Sequence, residues 1–354
     1  MKVLVTGDTG YIGSVMVPML VAQGFDVTGV DADLFEDCIF EPPQRAAPHI
    51  RRDIADLTPA DLEGFDAIFH LAALSNDPLG DLDPTLTYEI NHHASLRLAI
   101  MAKQAGVSRF IFSSSCSLYG ASGSEAVTET APLNPITPYA RTKAMLEWSL
   151  SALADSTFSP VYMRNATAYG VSPRMRFDIV LNNLTAWAVA TGQVLIKSDG
   201  TPWRPIVHIE DITRAFIAAA LAPRERIHNE AFNVGTEGDN FRVSEIAGVV
   251  EKTVPGCAIN YAPGGEPDLR SYRVSFAKIQ KLLPEFQPQW NAQKGAEQLY
   301  EAFQRVGVDE AEFEGPKFRR IDTLKKRIAQ GYFAQRERMP PQMPHARPLA
   351  DAAE

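Results

Sequence analysis

Through residues 1–165, short runs of β-branched and other apolar residues alternate with longer stretches in which apolar positions recur every three or four residues. Residues 2–6, 26–31, 67–71, 110–114 and 161–165 read as strands, and residues 12–23, 86–105 and 141–154 as helices. That alternation predicts a doubly wound α/β unit over residues 1–165, a parallel sheet with right-handed crossovers and helices on both faces. Near residue 166 the texture changes. Loops marked by Pro173, Gly192, Gly200 and Pro202 surround two helical stretches, 178–191 and 209–221, and predict a smaller domain over residues 166–330 that covers a substrate. Residues 230–234 read as one more strand, so the segment 206–240 returns to the main sheet and the two domains interleave. From 335 to 354, Pro340, Pro341, Pro344 and Pro348 stand among polar residues with little to bury, and this tail reads as flexible.

Composition narrows the class. With 45% hydrophobic and 22% charged residues in 354 positions, the chain can build a large core, and general disorder is excluded. Lys plus Arg number 34 against 43 Asp plus Glu, a formal charge of −9 that offers no basic face to a phosphate backbone, so nucleic acid is not an expected partner. Cys38, Cys116 and Cys257 are odd in number, far apart and without histidines at ligand spacing, which suits a reduced, cytoplasmic setting without a metal site. The chain enters a strand at once without a charged leader, and no run of about 18 apolar residues follows, so neither secretion nor a membrane is expected.

Gly7, Gly10 and Gly13, with Tyr11 and Ile12 between the last two, lie between the first strand and the first helix. Glycine permits a sharp turn there and lets backbone approach a pyrophosphate, whose charge the helix N-terminus stabilises. A tight strand-to-helix turn alone would explain the glycines. Asp31 adds a second signal, because it ends the second strand about 20 residues on, where a carboxylate accepts hydrogen bonds from ribose hydroxyls. The same charge repels a 2′-phosphate, which favours NAD over NADP, and Asp33 stands close enough to share the role. Tyr139 and Lys143, one turn apart, face one side of the helix that follows Pro138. A phenol with a pKa near 10 is a poor base, but a nearby ammonium and a positively charged nicotinamide favour phenolate, which can take a proton from a hydroxyl. Residues 113–120 (Ser-Ser-Ser-Cys-Ser-Leu-Tyr-Gly) follow the end of a strand, where open parallel sheets bind ligands.

Together with Asp53 and Ile54, residues 70–73 (His-Leu-Ala-Ala), Asn91 and residues 204–211 (Arg-Pro-Ile-Val-His-Ile-Glu-Asp), these motifs stand in the order and spacing of the extended short-chain dehydrogenase/reductases. Over about residues 1–300 the chain resembles the NAD-dependent epimerase/dehydratase family acting on nucleotide sugars. The resemblance implies a Rossmann-type doubly wound parallel sheet with a smaller, interleaved C-terminal substrate domain, NAD as cofactor and a nucleotide-diphosphate sugar as substrate. It implies Tyr139 as base, Lys143 as the ligand of the nicotinamide ribose and the charge that lowers the Tyr139 pKa, and Ser115 as partner of the reacting sugar hydroxyl. Asp53 and Ile54 would flank the adenine, Leu71, Ala72 and Ala73 would run along the cofactor, Ser113 would also bind it, and Asn91 would anchor the central strand near the site. Thr167 and Arg204 would meet the substrate diphosphate. Helices 86–105 and 141–154 pair into a homodimer in families of this kind.

Departures from the family pattern sharpen the expectation. Cys116 and Ser117 occupy the places of the Asp-Glu pair that dehydrating members carry, which disfavours 4,6-dehydration, and a buried thiol is the reading for Cys116. Gly265, Glu266 and Pro267 replace the usual arginine on the nucleoside side, for which Arg270 or Arg273 is the substitute. Residues 172–178 and 268–272 resemble a branch that includes GDP-heptose 4-oxidising enzymes, so UDP-galactose is not the default substrate. The implied activity is epimerisation through transient C4 oxidation. A net C4 dehydrogenase or 4-ketoreductase would use the same Tyr, Lys and Ser, whereas a non-catalytic NAD-sensing module would have had no need to keep them.

Overall fold

Val3 and Val5 on the first strand, Lys2–Thr6, share one core cluster, Leu4 belongs to another, and all three are buried. Such a strand needs cover on both sides. In the computed structural model, which describes residues 1–121, 125–262 and 271–334, it lies inside a seven-stranded parallel sheet. The order is Glu230–Val234, Ser159–Asn165, Arg109–Ser115, Ala67–His70, Lys2–Thr6, Asp26–Asp31, His49–Arg51. Helices Gly13–Ala22 and Ile209–Leu221 contribute to the cluster that holds Val5, Phe69, Ile111 and Phe232. Helices Ser95–Gln104 and Pro138–Ser151 contribute to the cluster of Leu4, Ile68, Phe110 and Tyr162. The chain reverses its winding direction between Lys2–Thr6 and Ala67–His70, and the crevice beyond the C-terminal ends of strands at such a switch point is where doubly wound sheets bind ligands.

Several elements differ from their sequence pattern. His49–Arg51 is an edge strand of three residues paired with Asp26–Asp31, too short and polar to show a strand periodicity. The stretch 86–105 is not one helix: Pro84–Tyr88 runs into a π-helical turn, Glu89–Ala94, before Ser95–Gln104. The wide turn carries Asn91, whose Oδ1 accepts from Leu74 N at 2.8 Å while Nδ2 donates to Leu74 O at 3.0 Å. The next long helix begins at Pro138 rather than 141, because Thr137 Oγ accepts from Ala140 N at 3.2 Å and proline suits the first helical position.

The strand Glu230–Val234 pairs in parallel with Ser159–Asn165. Between and after these strands the chain builds a second core, with Phe177, Phe303, Phe313 and Phe318 packed among helices Val180–Thr191, Val243–Thr253 and Ala292–Val306. Tyr11 and Phe40 from the first half are buried in that same core. A small sheet, Trp203–His208 flanked by Thr167–Tyr169 and Asn240–Arg242, carries Thr167 and Arg204. The tail from 335 to 354 lies outside the described residues. Among the described residues no helix is long and apolar enough to cross a membrane.

One buried ion pair locks the long helix to the sheet. Arg164 and Glu147 are both 1% exposed and meet at 2.6 Å (Nη2 to Oε2), with Arg164 Nε donating to Oε1 at 3.0 Å. Ser114 Oγ donates to the same carboxylate at 2.5 Å, and Arg164 Nη1 donates to Tyr119 Oη and to the Glu129 carbonyl, each at 3.0 Å. Removing one member leaves a buried charge without its partner. Arg164→Met should therefore lower the unfolding free energy by about 3–5 kcal/mol in urea denaturation, and a loss below about 1 kcal/mol would contradict this role.

Candidate active site

At Thr6 the first strand ends and Gly7 turns the chain with φ +77°. A Cβ on Gly7 would stand 2.8 Å from Ala72 N, and one on Gly13 would stand 2.1 Å from the Gly7 carbonyl oxygen, so this turn closes only without side chains. Helix Gly13–Ala22 then starts with no side-chain cap and no acidic residue in its first turn. Its leading N–H groups, with the positive end of the helix dipole, suit a pyrophosphate. Asp31 ends the neighbouring strand, accepting from Asp33 N at 2.9 Å, and burial raises its pKa. Asp33 does not share the cavity. Its carboxylate accepts from Thr9 Oγ at 2.8 Å and meets His49 Nε2 at 3.2 Å, while His49 Nδ1 meets Asp8 at 2.8 Å. Burial pushes Asp8 up to about 6.

A cavity of about 850 Å³ gathers the predicted residues. Gly7, Gly10, Tyr11, Ile12, Gly13, Asp31, Asp53, Ile54, Leu71, Ala72 and Ala73 line it together with Ser113, Ser115, Tyr139, Lys143, Thr167 and Arg204. Asn91 does not line it. It stands behind the wall, bonded to Leu74 and to Thr142 Oγ at 3.3 Å, and so shapes the cofactor side through Leu74 rather than by contact. Arg270 lies outside the described residues, and Arg273 stacks its guanidinium 4.8 Å from the Trp203 ring centre and does not line the cavity. Among the described residues no three His, Cys, Asp or Glu side chains are grouped to hold a metal.

The Thr137 cap and Pro138 start the helix so that Tyr139 and Lys143 both reach the cavity from successive turns. Lys143 is 3% exposed; its Nζ donates to Ser113 O at 2.8 Å and lies 4.6 Å from the Phe112 ring centre. Burial brings this ammonium down to about 7, and Glu147, one turn further on, pulls the other way. Tyr139 corrects the sequence expectation. Burial, followed by the Asp77 carboxylate, pushes its phenol up to about 12, against the opposing pull of the Ser115 hydroxyl and Arg176. Lys143 is not what sets the phenol here, because its Nζ sits 5.7 Å from the Tyr139 ring centre and is committed to the Ser113 carbonyl.

Ser115 Oγ accepts from Ser117 N at 3.1 Å, capping the short turn Cys116–Tyr119 that leads away from the strand. Cys116 is fully buried and donates to Arg164 O at 3.1 Å, with its thiol raised far above its usual range by burial, so it supplies no acid to the cavity.

Sequence reasoning missed several cavity residues. Ser75, Asn76 and Asp77 stand where a loop enters the short helix Asp77–Leu82, which carries no motif, and Asn165, which donates to Ser113 Oγ at 3.0 Å, reads simply as a strand end. Arg176 and Asp178, previously only part of a family-like stretch, form a two-point pair at 3.0 and 2.6 Å, with Asn76 Nδ2 donating to Asp178 at 2.5 Å. Arg176 Nη1 also donates to Ser75 Oγ at 3.2 Å.

Comparison with known proteins matches residues 3–235 to the NAD dependent epimerase/dehydratase family. A UDP-glucose 4-epimerase of Lactobacillus helveticus is 32% identical over 298 residues, which is 76% of this chain and 87% of the relative. Among solved structures, the UDP-glucose 4-epimerase of Thermotoga maritima with UDP-glucose has a TM-score of 0.74 at 26% identity, covering 86% of this chain and 99% of that one. The UDP-glucuronic acid 4-epimerase of Bacillus cereus, in complex with UDP-glucuronic acid and NAD, has a TM-score of 0.73 at 25% identity, covering 86% and 100%. With its glycine turn, Asp31 and the Tyr139/Lys143 helix in one cavity, the chain belongs to the NAD-dependent epimerase/dehydratase family.

Proposed function

We propose that this protein is an NAD-dependent nucleotide-sugar 4-epimerase. The observation that carries the reading is that Tyr139, Lys143 and Ser115 face the same cavity as the glycine turn. NAD, when bound, supplies the chemistry of removing a hydrogen with its electron pair from the sugar C4 and returning it. Gly7, Gly10 and Gly13 with the open helix N-terminus hold the pyrophosphate, Asp31 the adenosine ribose, and Asp53 and Ile54 the adenine side.

Tyr139 takes the proton of the C4 hydroxyl and gives it back. Because the protein alone holds that phenol near 12, phenolate requires added positive charge beside it, which the oxidised nicotinamide would supply when bound, while Lys143 holds the nicotinamide ribose. Ser115 positions the C4 oxygen against the phenol. Thr167 and Arg204 serve the substrate diphosphate, for which a guanidinium fork is well suited. Residues 166–330 form most of the substrate side, and residues 1–165 the cofactor side. Elimination of water is disfavoured because Cys116, beside Ser115, is buried and turned to a backbone carbonyl. We further propose a cytoplasmic homodimer formed through helices Ser95–Gln104 and Pro138–Ser151, supported by Ile100, which is 39% exposed on the first of them. Sedimentation equilibrium should give twice the chain mass, and 38.9 kDa would contradict it.

A panel of UDP, GDP, dTDP and CDP hexoses, incubated without added cofactor, tests the reading: the C4 epimer of at least one should form without net NADH. On that substrate Tyr139→Phe should keep folding and NAD affinity while turnover falls by roughly 10² to 10⁴. Asp31→Ala should do the reverse, weakening NAD and relaxing discrimination against NADP. Near wild-type turnover for Tyr139→Phe would overturn the mechanism.

A further inference from the structure

The cavity also receives residues from beyond the span matched to the family, residues 3–235. Helix Arg320–Ala329 and the turn after it are fastened on two sides. Leu324 and Phe333 are buried with Leu74, Leu79 and Leu86, and Arg327 Nη2 donates to Glu36 at 3.2 Å in the loop that follows Asp31. The first residue of this helix, Arg320, is 8% exposed and lines the cavity. Its Nη2 donates to Arg174 O at 3.1 Å and its guanidinium packs 5.1 Å from the Phe35 ring centre. Nε is buried with no hydrogen-bond partner, and among the described residues no carboxylate hydrogen-bonds to the group. A buried guanidinium in no ion pair is costly: burial, with Arg176 acting in the same direction, brings its pKa down to about 10 against the pull of Cys38, Asp178 and Asp31.

Contacts locate Arg320 along the cavity. Phe35, on which it packs, lies four residues beyond Asp31, and Arg174, whose carbonyl it holds, donates its own N–H to Ser172 Oγ at 3.1 Å, which in turn donates to Tyr11 O in the glycine turn at 2.8 Å. It therefore stands between the two, over the stretch served by the glycine turn. We propose that Arg320 is a further cofactor ligand, a guanidinium delivered by the C-terminal segment to the NAD pyrophosphate. The anchored helix holds the charge in place beforehand, so little ordering is needed on binding. Both the cofactor and a nucleotide sugar carry a diphosphate; the place of Arg320 between Phe35, just beyond Asp31, and the segment bonded to the glycine turn assigns it to the cofactor's. The inference rests on NAD occupying this cavity, and not on which sugar is turned over.

Calorimetric titration of the full chain, freed of co-purified nucleotide, with NADH, ADP and UDP tests it. Arg320→Met should weaken NADH and ADP about tenfold to hundredfold and leave UDP within about twofold, since a hydrogen bond to a charged group is worth that much. Arg320→Lys keeps the charge without the fork, guards against a folding defect in the first variant, and should recover part of the loss. Unchanged NADH and ADP affinities in a folded Arg320→Met protein would overturn the proposal, as would weakened UDP with unchanged NADH. Wild-type protein that binds neither NADH nor ADP would overturn the assignment of the cavity to NAD, a result distinct from any difference between wild type and variant.

Discussion

The site depends on the contact between Glu147 and Arg164. Helix Pro138–Ser151 must present Tyr139 and Lys143 at the same height as the end of strand Arg109–Ser115, and on the cavity side Lys143 holds it through the Ser113 carbonyl at 2.8 Å. Behind the cavity, Glu147 on that helix takes Arg164 from the next strand and Ser114 from the strand that ends in Ser115, so three elements share one buried carboxylate. A buried ion pair gains little net stability against apolar packing of equal volume. What it does here is set register, because a fork of directed hydrogen bonds fixes the helix along its axis in a way that Leu146 and Leu150, packed in the same region, do not. Glu147 also acts on chemistry, since its charge opposes the fall of the Lys143 pKa.

On the proposed reading, the charged groups lining the cavity serve a dinucleotide and a sugar nucleotide: Asp31 the adenosine ribose, the uncapped helix and Arg320 the cofactor pyrophosphate, Lys143 and Tyr139 the reacting end, and Arg204 the substrate diphosphate. The Arg176–Asp178 pair lies beside Tyr139 and is already self-neutralised, so it offers hydrogen bonds without net charge. Burial explains why the protein alone keeps the Tyr139 phenol neutral and brings the Lys143 ammonium down to about 7: each charged form loses water that no nearby side chain fully replaces.

Much of this was legible in the chain. The strand and helix alternation, the glycine turn with Asp31, and Tyr139 with Lys143 are local patterns, and local patterns survive without knowledge of the fold. Residues whose roles come from long-range juxtaposition were not legible. Arg320 meets a cavity built mostly from the first 200 residues, and Asp77, at the start of the short helix Asp77–Leu82, and Arg176, in a loop, act on Tyr139 from segments too short or irregular to show a periodicity. Helix 86–105 was misread for a different reason: its apolar spacing fits an α-helix, but the π-turn at Glu89–Ala94 is set by where Asn91 must bond Leu74. The direction of the Tyr139 shift was misjudged because the sequence shows the nearby lysine and cannot show the depth of burial or the Asp77 carboxylate.

The central claim is that one bound NAD takes the C4 hydrogen and returns it to the same carbon. Nucleotide hexoses deuterated at C4 test this most directly, with product position followed by NMR and nicotinamide by absorbance. The C4 epimer should keep its deuterium at C4, with no accumulation of NADH. Loss of the label to solvent, or NADH formed in step with an oxidised sugar, would contradict it.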